Sequence, residues 1–352
     1  MGDFLSRLVK RADSQNVQED SVATIPEIQP VDEWDEDAVR RDLVALMDSD
    51  SYDDGSYAPI LIRLGWHSSG TFDGVTGGSS GAGMRFPLEK NDPENKGLHV
   101  ARDVLAPLKM KHPAISYSDM WILAAYTAIE HTGGPRIAFT KGRIDITKAL
   151  DAIKPGRLPD AEYGLGSGMD DEGRIEGWEK LAEHVRQVFY RIGMNDQEIV
   201  ALLCGGHVYG RCHKGSSGYS GAWVEAPTSF SNEYAADLLE DEWMCVSHDT
   251  RINGVLIPEE TRPAPGKRQY MSEWEPSEEE IKQGHAEPEE KEGKLLKVKY
   301  QMMLPSDMIF LWDDKFKKVV SKYAASEDLL REDFGSAYKK LTESGMTGCP
   351  FH

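Results

Sequence analysis

The stretch PILIRLGWHSSGTFDG, residues 59–74, places three unusual side chains on one side of a predicted helix. Pro59 suits the first turn, and Arg63, Trp66 and His67 then follow at spacings that put them on a common face. A guanidinium and an imidazole beside an indole are costly to bury unless they have partners or a chemical task. The stretch therefore predicts a functional helix face rather than an ordinary part of a core.

A second stretch, LLCGGHVYGRCHKGSSGYSGAW at residues 202–223, holds Cys204, His207, Cys212 and His213. Structural zinc sites use four such ligands, but neighbouring residues point apart on a helix or strand, and the chain has no C-x-x-C pair. The C-x-x-C-H signal for covalent haem attachment is also absent. On these residues alone, both a zinc site and ordinary packing remain open.

The composition is that of an acidic globular protein. The chain has 352 residues, of which 39% are hydrophobic and 9% aromatic, so it can bury a large core. Its net charge of −20 argues against nucleic-acid binding, because phosphates would be repelled. The four cysteines show no pairing rhythm, which is typical of a reducing, intracellular compartment. We expect no transmembrane segment, because no apolar run is long enough.

The N-terminal residues 1–30 are expected to be an acidic tail. MGDFLSRLVKRADSQ has a weak likeness to a mitochondrial leader, since apolar and basic residues share a helical side, but Asp3 and Asp13 argue against it. Mitochondrial and cytosolic locations both remain open.

Helical periodicity dominates the chain and strand alternation is hardly visible, so we predict an all-α fold. Asn195 followed by Glu198 has the form of a capping box, which starts a helix that should end near Gly205 and Gly206. Helices are predicted at 34–47, 59–69, 98–111, 117–131, 177–192, 195–206, 228–240, 306–325 and 327–344. Residues 246–298, rich in acids and prolines, are predicted to be an insertion in the form of a solvated loop.

Several motifs, read in order between about residues 30 and 345, resemble the class I haem peroxidases, the group of cytochrome c peroxidase and ascorbate peroxidase. The motifs are RLGWHSSGTF, NDPENKGL, GRLPDA, NDQEIVALLCGGHVYGRCH, SGYSGAW and MMLPSD. This resemblance implies an all-α haem-peroxidase fold with long irregular insertions, built over residues 31–346. A distal half of about 31–150 and a proximal half of about 151–346 would hold one non-covalent haem b between them, and 347–352 would be a tail.

On the proximal side, the resemblance implies that His207 is the axial ligand of the haem iron and that Asp307 is its hydrogen-bond partner. Such a carboxylate fixes the tautomer and makes the imidazole a stronger electron donor. Trp223 would lie beside the imidazole ring and be oxidised to a cation radical. His213 would contact a haem propionate, while Cys204 is expected to pack.

On the distal side, the resemblance implies that His67 is the general base that takes a proton from hydrogen peroxide and returns it to the departing oxygen. Arg63 would stabilise charge on that oxygen, and Trp66 would pack over the haem. Asn95 would accept a hydrogen bond from His67, with the backbone of Glu89 supporting Asn95.

The reaction so implied is the reduction of hydrogen peroxide to water through a ferryl plus tryptophan-radical intermediate, with ferrocytochrome c as the preferred electron donor. Complementary charge favours such transient complexes, and acids precede the distal helix. These acids are Asp48, Asp50, Asp53 and Asp54. Ascorbate or another small reductant is the alternative, although Ser216 and Gly55 stand where ascorbate peroxidases have cationic residues. A non-catalytic haem-binding sensor is the alternative of another class.

Overall fold

A computed structural model describes residues 34–272, 276–283 and 300–346 of the chain. The predicted tails at 1–30 and 347–352 and residues 273–275 and 284–299 of the predicted insertion lie outside the described residues. None of the helices among the described residues is both long and apolar enough to span a membrane.

The described residues are mainly helical, as the sequence predicts. The α-helices are α1 (Glu36–Met47), α2 (Ala58–Ser69), α3 (Pro87–Lys90), α4 (His99–Lys111), α5 (Tyr117–His131), α6 (Trp178–Arg191), α7 (Asp196–Gly206), α8 (Glu233–Glu240), α9 (Glu278–Gln283), α10 (Pro305–Trp312), α11 (Asp314–Ala325) and α12 (Glu327–Glu343). The strands are β1 (Arg211–Cys212), β2 (Gly221–Ala222), β3 (Trp243–Ser247), β4 (Arg251–Ile252), β5 (Val255–Leu256), β6 (Arg268–Ser272) and β7 (Met302–Met303). Short 3-10 turns connect several of these elements, among them Asp53–Gly55 and Pro93–Asn95.

Helix α7 begins where its capping box predicts. The Asn195 side chain accepts the backbone N–H of Glu198 at 3.0 Å, and the Glu198 carboxylate accepts the N–H of Asn195 at 2.8 Å. These two bonds satisfy donors that the first turn of a helix leaves free. Because the start is fixed in this way, His207 becomes the residue that caps the C-terminal end.

Helix α12 holds α2 and α7 in place through two close glycine contacts. A Cβ atom at Gly65 of α2 would lie 2.5 Å from the Tyr338 hydroxyl, and one at Gly205 of α7 would lie 2.4 Å from the Phe334 ring. The Tyr338 hydroxyl also donates to the carbonyl of Ile62 at 2.7 Å. Each glycine stands two residues before a histidine, so α12 fixes both histidine-bearing helix ends from the opposite side.

Most predicted helices agree with the structure to within two residues, but two do not. The predicted helix 306–325 is two helices, because Asp313 caps α11 by accepting the N–H groups of Lys315 and Phe316. The helix predicted from residue 228 begins at Glu233.

The described part of the predicted insertion is folded, so the solvated-loop prediction is wrong for residues 246–272. Strand β6 pairs antiparallel with β3 and with β7, placing Tyr270 opposite Met303. A second small core lies beside this sheet. Its buried members are Val246, Val255, Ile257, Met271 and Tyr300.

Candidate active site

His207 and Asp307 meet at the junction of α7 and α10. His207 Nδ1 lies 2.8 Å from Asp307 Oδ1, and since a carboxylate can only accept, Nδ1 carries the proton. Asp307 is fully buried near the start of α10 and also accepts the N–H of Leu304 at 2.7 Å. The Nε2 atom of His207 has no hydrogen-bond partner among the residues described, which leaves it available as a metal ligand.

Trp223 shares the Asp307 carboxylate with His207. Its indole N–H donates to Asp307 Oδ2 at 2.6 Å, and its ring stacks on the His207 ring with centroids 4.3 Å apart and planes 24° apart. The structure thus brings together the three residues that the sequence places on the proximal side. A buried carboxylate against an indole favours positive charge on that indole.

His67 and Asn95 meet on the distal side. His67 Nδ1 lies 3.0 Å from Asn95 Oδ1, while the Asn95 amide donates to the carbonyl of Glu89 at 2.9 Å. The second bond orients the amide so that its oxygen faces His67, which places the proton on Nδ1 and leaves Nε2 as an acceptor. Burial, and then the Arg63 charge, lower the pKa of His67 well below its ordinary 6.5, so the ring is a neutral base near pH 7.

Arg63 and Trp66 flank His67 on α2. The Arg63 guanidinium donates to the carbonyls of Lys96 at 2.9 Å and Glu94 at 2.7 Å, and burial lowers its pKa. The Trp66 ring lies 4.8 Å from the His67 ring and 5.9 Å from the Phe189 ring. Arg63, Trp66 and His67 therefore lie together on the distal side.

His213, whose contact with a haem propionate stays a prediction, pairs with Asp53 in the structure. Its Nε2 lies 2.7 Å from Asp53 Oδ2, and its side chain is 47% exposed. The neighbouring Arg211 forms an ion pair with Asp54. Both bonds tie the segment after α7 to the turn that precedes α2.

Of the four acids predicted to form a docking surface, Asp54 does not belong to it. Its side chain is only 4% exposed and is taken up by Arg211, whereas the side chain of Asp48 is 79% exposed. Asp50 is exposed and Asp53 is partly buried. Sequence analysis missed Arg211, because no local pattern links it to an acid so far away along the chain.

Tyr234 and Cys204 also lie near Asp307, and the sequence gives Tyr234 no role. The Tyr234 ring meets the His207 ring edge to face at 5.8 Å, and its buried hydroxyl has no hydrogen-bond partner in the described residues. Burial raises the pKa of the Cys204 thiol, which is fully inaccessible to solvent.

Among the residues described, no cluster of three or more His, Cys, Asp or Glu side chains could hold a metal ion, so the zinc interpretation has no support there.

The side chains fit a haem. His207 remains 28% exposed and Arg63, Trp66 and His67 are partly exposed, although most of their helical neighbours are buried. The α7 side thus offers a single free imidazole nitrogen, and the α2 side offers a second histidine, an arginine and an indole. One free nitrogen with a carboxylate behind it suits iron that is otherwise held by a porphyrin.

Comparison with known proteins agrees with this arrangement. The family model described as peroxidase matches residues 39–326. A relative from Gibberella zeae, whose name describes it as a heme-binding peroxidase, is 42% identical over 311 residues, covering 88% of this chain and 78% of the relative. The mitochondrial cytochrome c peroxidase of Neurospora crassa is 39% identical over 303 residues, covering 86% and 68%. That of Aspergillus fumigatus is 40% identical over 313 residues, covering 88% and 69%.

Proposed function

Since the chain belongs to the peroxidase family and is a haem peroxidase, we propose that ferrocytochrome c is its electron donor and that Trp223 carries the electrons. The observation that supports this most is the shared Asp307 carboxylate, which holds the Trp223 indole at 2.6 Å and the His207 imidazole at 2.8 Å. The iron ligand and the proposed electron carrier are thereby part of one hydrogen-bonded unit.

His207 would bind the iron of a non-covalent haem b through Nε2. A haem bound there would supply the redox chemistry, accepting the peroxide oxygen and two oxidising equivalents. The residues around it determine how protons and electrons reach the O–O bond. Asp307 keeps the proton of His207 on Nδ1 and makes the ring more electron-rich.

On the distal side, His67 is proposed to take the first proton of hydrogen peroxide on Nε2 and to return it to the departing oxygen as water forms. Asn95 keeps Nε2 free of a proton through its bond to Nδ1. Two N–H groups of Arg63 donate to backbone carbonyls, which hold the guanidinium in place. Because an arginine has five N–H donors, the remaining ones can donate to the departing oxygen.

Trp223 is proposed to lose one electron and become a cation radical. Asp307 stabilises this positive charge, because an unscreened carboxylate lies within hydrogen-bonding distance of the indole. Reduced cytochrome c then returns the electron, and a second molecule supplies the second one. The indole N–H proton stays in its bond to Asp307, so the step needs no proton acceptor.

Charge favours cytochrome c over ascorbate. Asp48 and Asp50 are exposed acids, which suit a partner with a basic surface. Ser216 lies near Arg63 and carries a neutral hydroxyl, so it offers no charge for a small anion. The mitochondrial names of the cytochrome c peroxidase relatives support a mitochondrial location for this chain as well.

The test is stopped-flow reduction of the peroxide-oxidised enzyme by ferrocytochrome c and by ascorbate. Trp223→Phe should slow the cytochrome c reaction by at least about tenfold, equivalent to about 1.4 kcal/mol of activation free energy. Trp243→Phe is the control, since that indole lies partly buried on β3 and its N–H makes no hydrogen bond to Asp307 or to any other described residue. Cytochrome c turnover that survives Trp223→Phe unchanged would show that the tryptophan route is wrong.

The acidic surface is tested separately with the double variant Asp48→Asn/Asp50→Asn. Removing two exposed charges should lower the association rate with cytochrome c and flatten its dependence on salt. Asp328→Asn/Glu332→Gln removes two exposed acids from α12 and serves as the control. Equal effects from both pairs would mean that net charge, rather than a surface near α2, attracts the partner.

A further inference from the structure

Three aromatic rings form a ladder from β6 to α6. The Tyr270 ring lies 5.8 Å from the Trp312 ring with planes 74° apart, and the Trp312 ring lies 6.1 Å from the Trp178 ring with planes 69° apart. Both are edge-to-face contacts at ordinary aromatic distances. Rings in contact offer a continuous path for an electron.

The inner end of the ladder lies next to the site already described. Tyr270 is paired with Met303, the residue before Leu304, whose N–H donates to the Asp307 carboxylate at 2.7 Å. Trp312 is the last residue of the helix in which Asp307 lies, so the two are about 7.5 Å apart along its axis. Both residues therefore lie on elements joined to the Asp307 segment, Trp312 on the same helix and Tyr270 on the strand that pairs with the residues just before it.

The outer end opens at the surface. Trp178 lines an open cleft of about 360 Å³ together with Met169, Asp170 and Glu176, a volume that suits a single-ring molecule. The Trp178 N–H has no hydrogen-bond partner in the part of the chain that the structure describes. Met169 is 44% exposed at the rim, which adds apolar surface to the cleft.

The charges around the cleft favour positive or neutral molecules. The Arg174 guanidinium lies 5.0 Å from the centre of the Trp178 ring, but Asp170 at 2.7 Å and Glu172 both pair with it. Glu176 and Glu179 add further negative charge to the lining. A cation radical on Trp178 would be stabilised there, whereas an anionic reductant would be repelled.

We propose that this ladder is a second electron path, and that the Trp178 cleft is a second oxidation site for small, neutral or cationic, electron-rich aromatic molecules such as phenols. The inference rests on the proposed function, because it needs an oxidised Trp223 or haem as the electron acceptor. It adds to that function a class of substrate and a place where such a substrate binds, remote from the acids before α2.

A phenol in the cleft gives one electron to oxidised Trp178 and its hydroxyl proton to Glu176 or to solvent, leaving a phenoxyl radical. The electron passes through Trp312 to the oxidised centre, and two phenols are consumed for each hydrogen peroxide reduced to two waters. The Tyr270 hydroxyl has only the Cys245 thiol, a weak acceptor, nearby to take its proton among the described residues, so Tyr270 acts as a bridge and does not hold a radical. The two indoles hold the charge as cation radicals.

The first test compares Trp178→Phe with Trp243→Phe in the haem-loaded enzyme, using 2-methoxyphenol and ferrocytochrome c as separate donors. Trp178→Phe should lower kcat/KM for 2-methoxyphenol by at least about fivefold and leave cytochrome c turnover unchanged. Unchanged 2-methoxyphenol turnover would overturn the proposal. A loss of both activities would also overturn it, because the cleft would then not be a separate site.

The second test does not depend on turnover. The enzyme is treated with hydrogen peroxide without any donor, and oxidised tryptophans are located by peptide mass spectrometry. Trp178 should gain oxygen in the wild type and in Trp243→Phe, and this product should fall by about tenfold in Trp312→Phe, which interrupts the ladder but leaves the cleft intact. Oxidation of Trp178 that is unaffected by Trp312→Phe would show that the ladder carries no electrons. Trp223→Phe distinguishes the proposed function from this inference. It removes the cytochrome c route and leaves Trp178 and Trp312 of the ladder in place.

Discussion

Trp223 and Asp307 are joined by a hydrogen bond of 2.6 Å inside the protein, where the carboxylate has no contact with solvent. The same carboxylate accepts from His207 and from the backbone of Leu304. One buried charge thus orients an imidazole and an indole while its own desolvation is offset by three donors.

Asp307→Asn should therefore weaken both the fold and the proximal site. An amide has a single oxygen acceptor, so Trp223 or His207 must lose its partner. We expect a loss of about 2 kcal/mol in the free energy of unfolding and a lower iron–imidazole stretching frequency, measured by urea titration and resonance Raman spectroscopy. Asp314→Asn, at an exposed position of α11, is the control. An unchanged Raman band would mean that Asp307 does not tune the ligand.

The pH dependence of the reaction with hydrogen peroxide should reflect the lowered pKa of His67. A base works only when unprotonated, and burial keeps His67 unprotonated well below pH 6.5, so the rate constant should stay flat through that pH. Asn95→Asp places a carboxylate against Nδ1, which raises the pKa of His67 and should move the acid limb to higher pH.

Stopped-flow measurement of the peroxide rate constant between pH 4 and pH 8 checks this expectation. Asn91→Asp adds the same charge at an exposed position nearby and should leave the profile unchanged. A wild-type limb centred at pH 6.5 would contradict the lowered pKa of His67.

Local patterns predicted most of the helices to within two residues, and the structure brings His207, Trp223 and Asp307 together, while the roles of these residues stay predictions. Helix α5 has the predicted bounds, and α7 begins at its capping box, because both are set by contacts within a few residues. The interpretation of 306–325 as one helix failed because apolar spacing continues through Asp313, although an acid before a new helical turn is itself a capping signal.

The features that the sequence could not predict depend on contacts between residues that are far apart in the chain. Strand β6 shows no alternation, because Gln269 is buried by bonds to the carbonyls of Ser220 and Thr261. The pairing of Asp54 with Arg211 joins residues far apart in the chain, so the acid looked like surface. The aromatic ladder likewise appears only once β6, α6 and α10 are packed together.

Tyr234→Phe should stabilise the protein. The Tyr234 hydroxyl is buried near the Asp307 carboxylate but makes no hydrogen bond of ordinary geometry in the described residues, so its removal relieves a desolvation cost of about 1 kcal/mol. Tyr209→Phe is the matched control, because that hydroxyl lies 2.9 Å from the Thr132 hydroxyl and its loss should cost about 1 kcal/mol. Urea unfolding of the haem-loaded enzymes measures both. A decrease in the stability of Tyr234→Phe would reveal a partner for this hydroxyl.

Asp237→Asn should change how stability depends on pH. Burial, and then the neighbouring acids Glu233 and Asp241, raise the pKa of Asp237 from 3.8 to about 7 in the folded state. Between these two values the folded protein binds a proton that the unfolded chain does not, so stability falls as pH rises and levels off above about 7.

Because Asp237 is partly exposed, we expect the free energy of unfolding of the wild type to fall by about 1 kcal/mol as pH rises. Asp237→Asn should remove this dependence on pH. The free energy of unfolding is measured at pH 5 and pH 8, with Asp328→Asn as an exposed control. Equal pH dependence in Asp237→Asn and wild type would mean that Asp237 titrates as it does in the unfolded chain.

Gly205→Ala and Gly206→Ala test how α12 positions the proximal histidine. A Cβ at Gly205 would meet the Phe334 ring at 2.4 Å, and a ring packed against a helix backbone cannot move aside cheaply, so we expect a loss of about 1–3 kcal/mol. At Gly206 no described atom lies within 4 Å of the added carbon, and alanine favours a helix by up to about 1 kcal/mol. Urea unfolding gives the free energies, and the Soret spectrum reports whether His207 still binds the haem iron. If Gly205→Ala cost nothing, α12 could not be what fixes the end of α7.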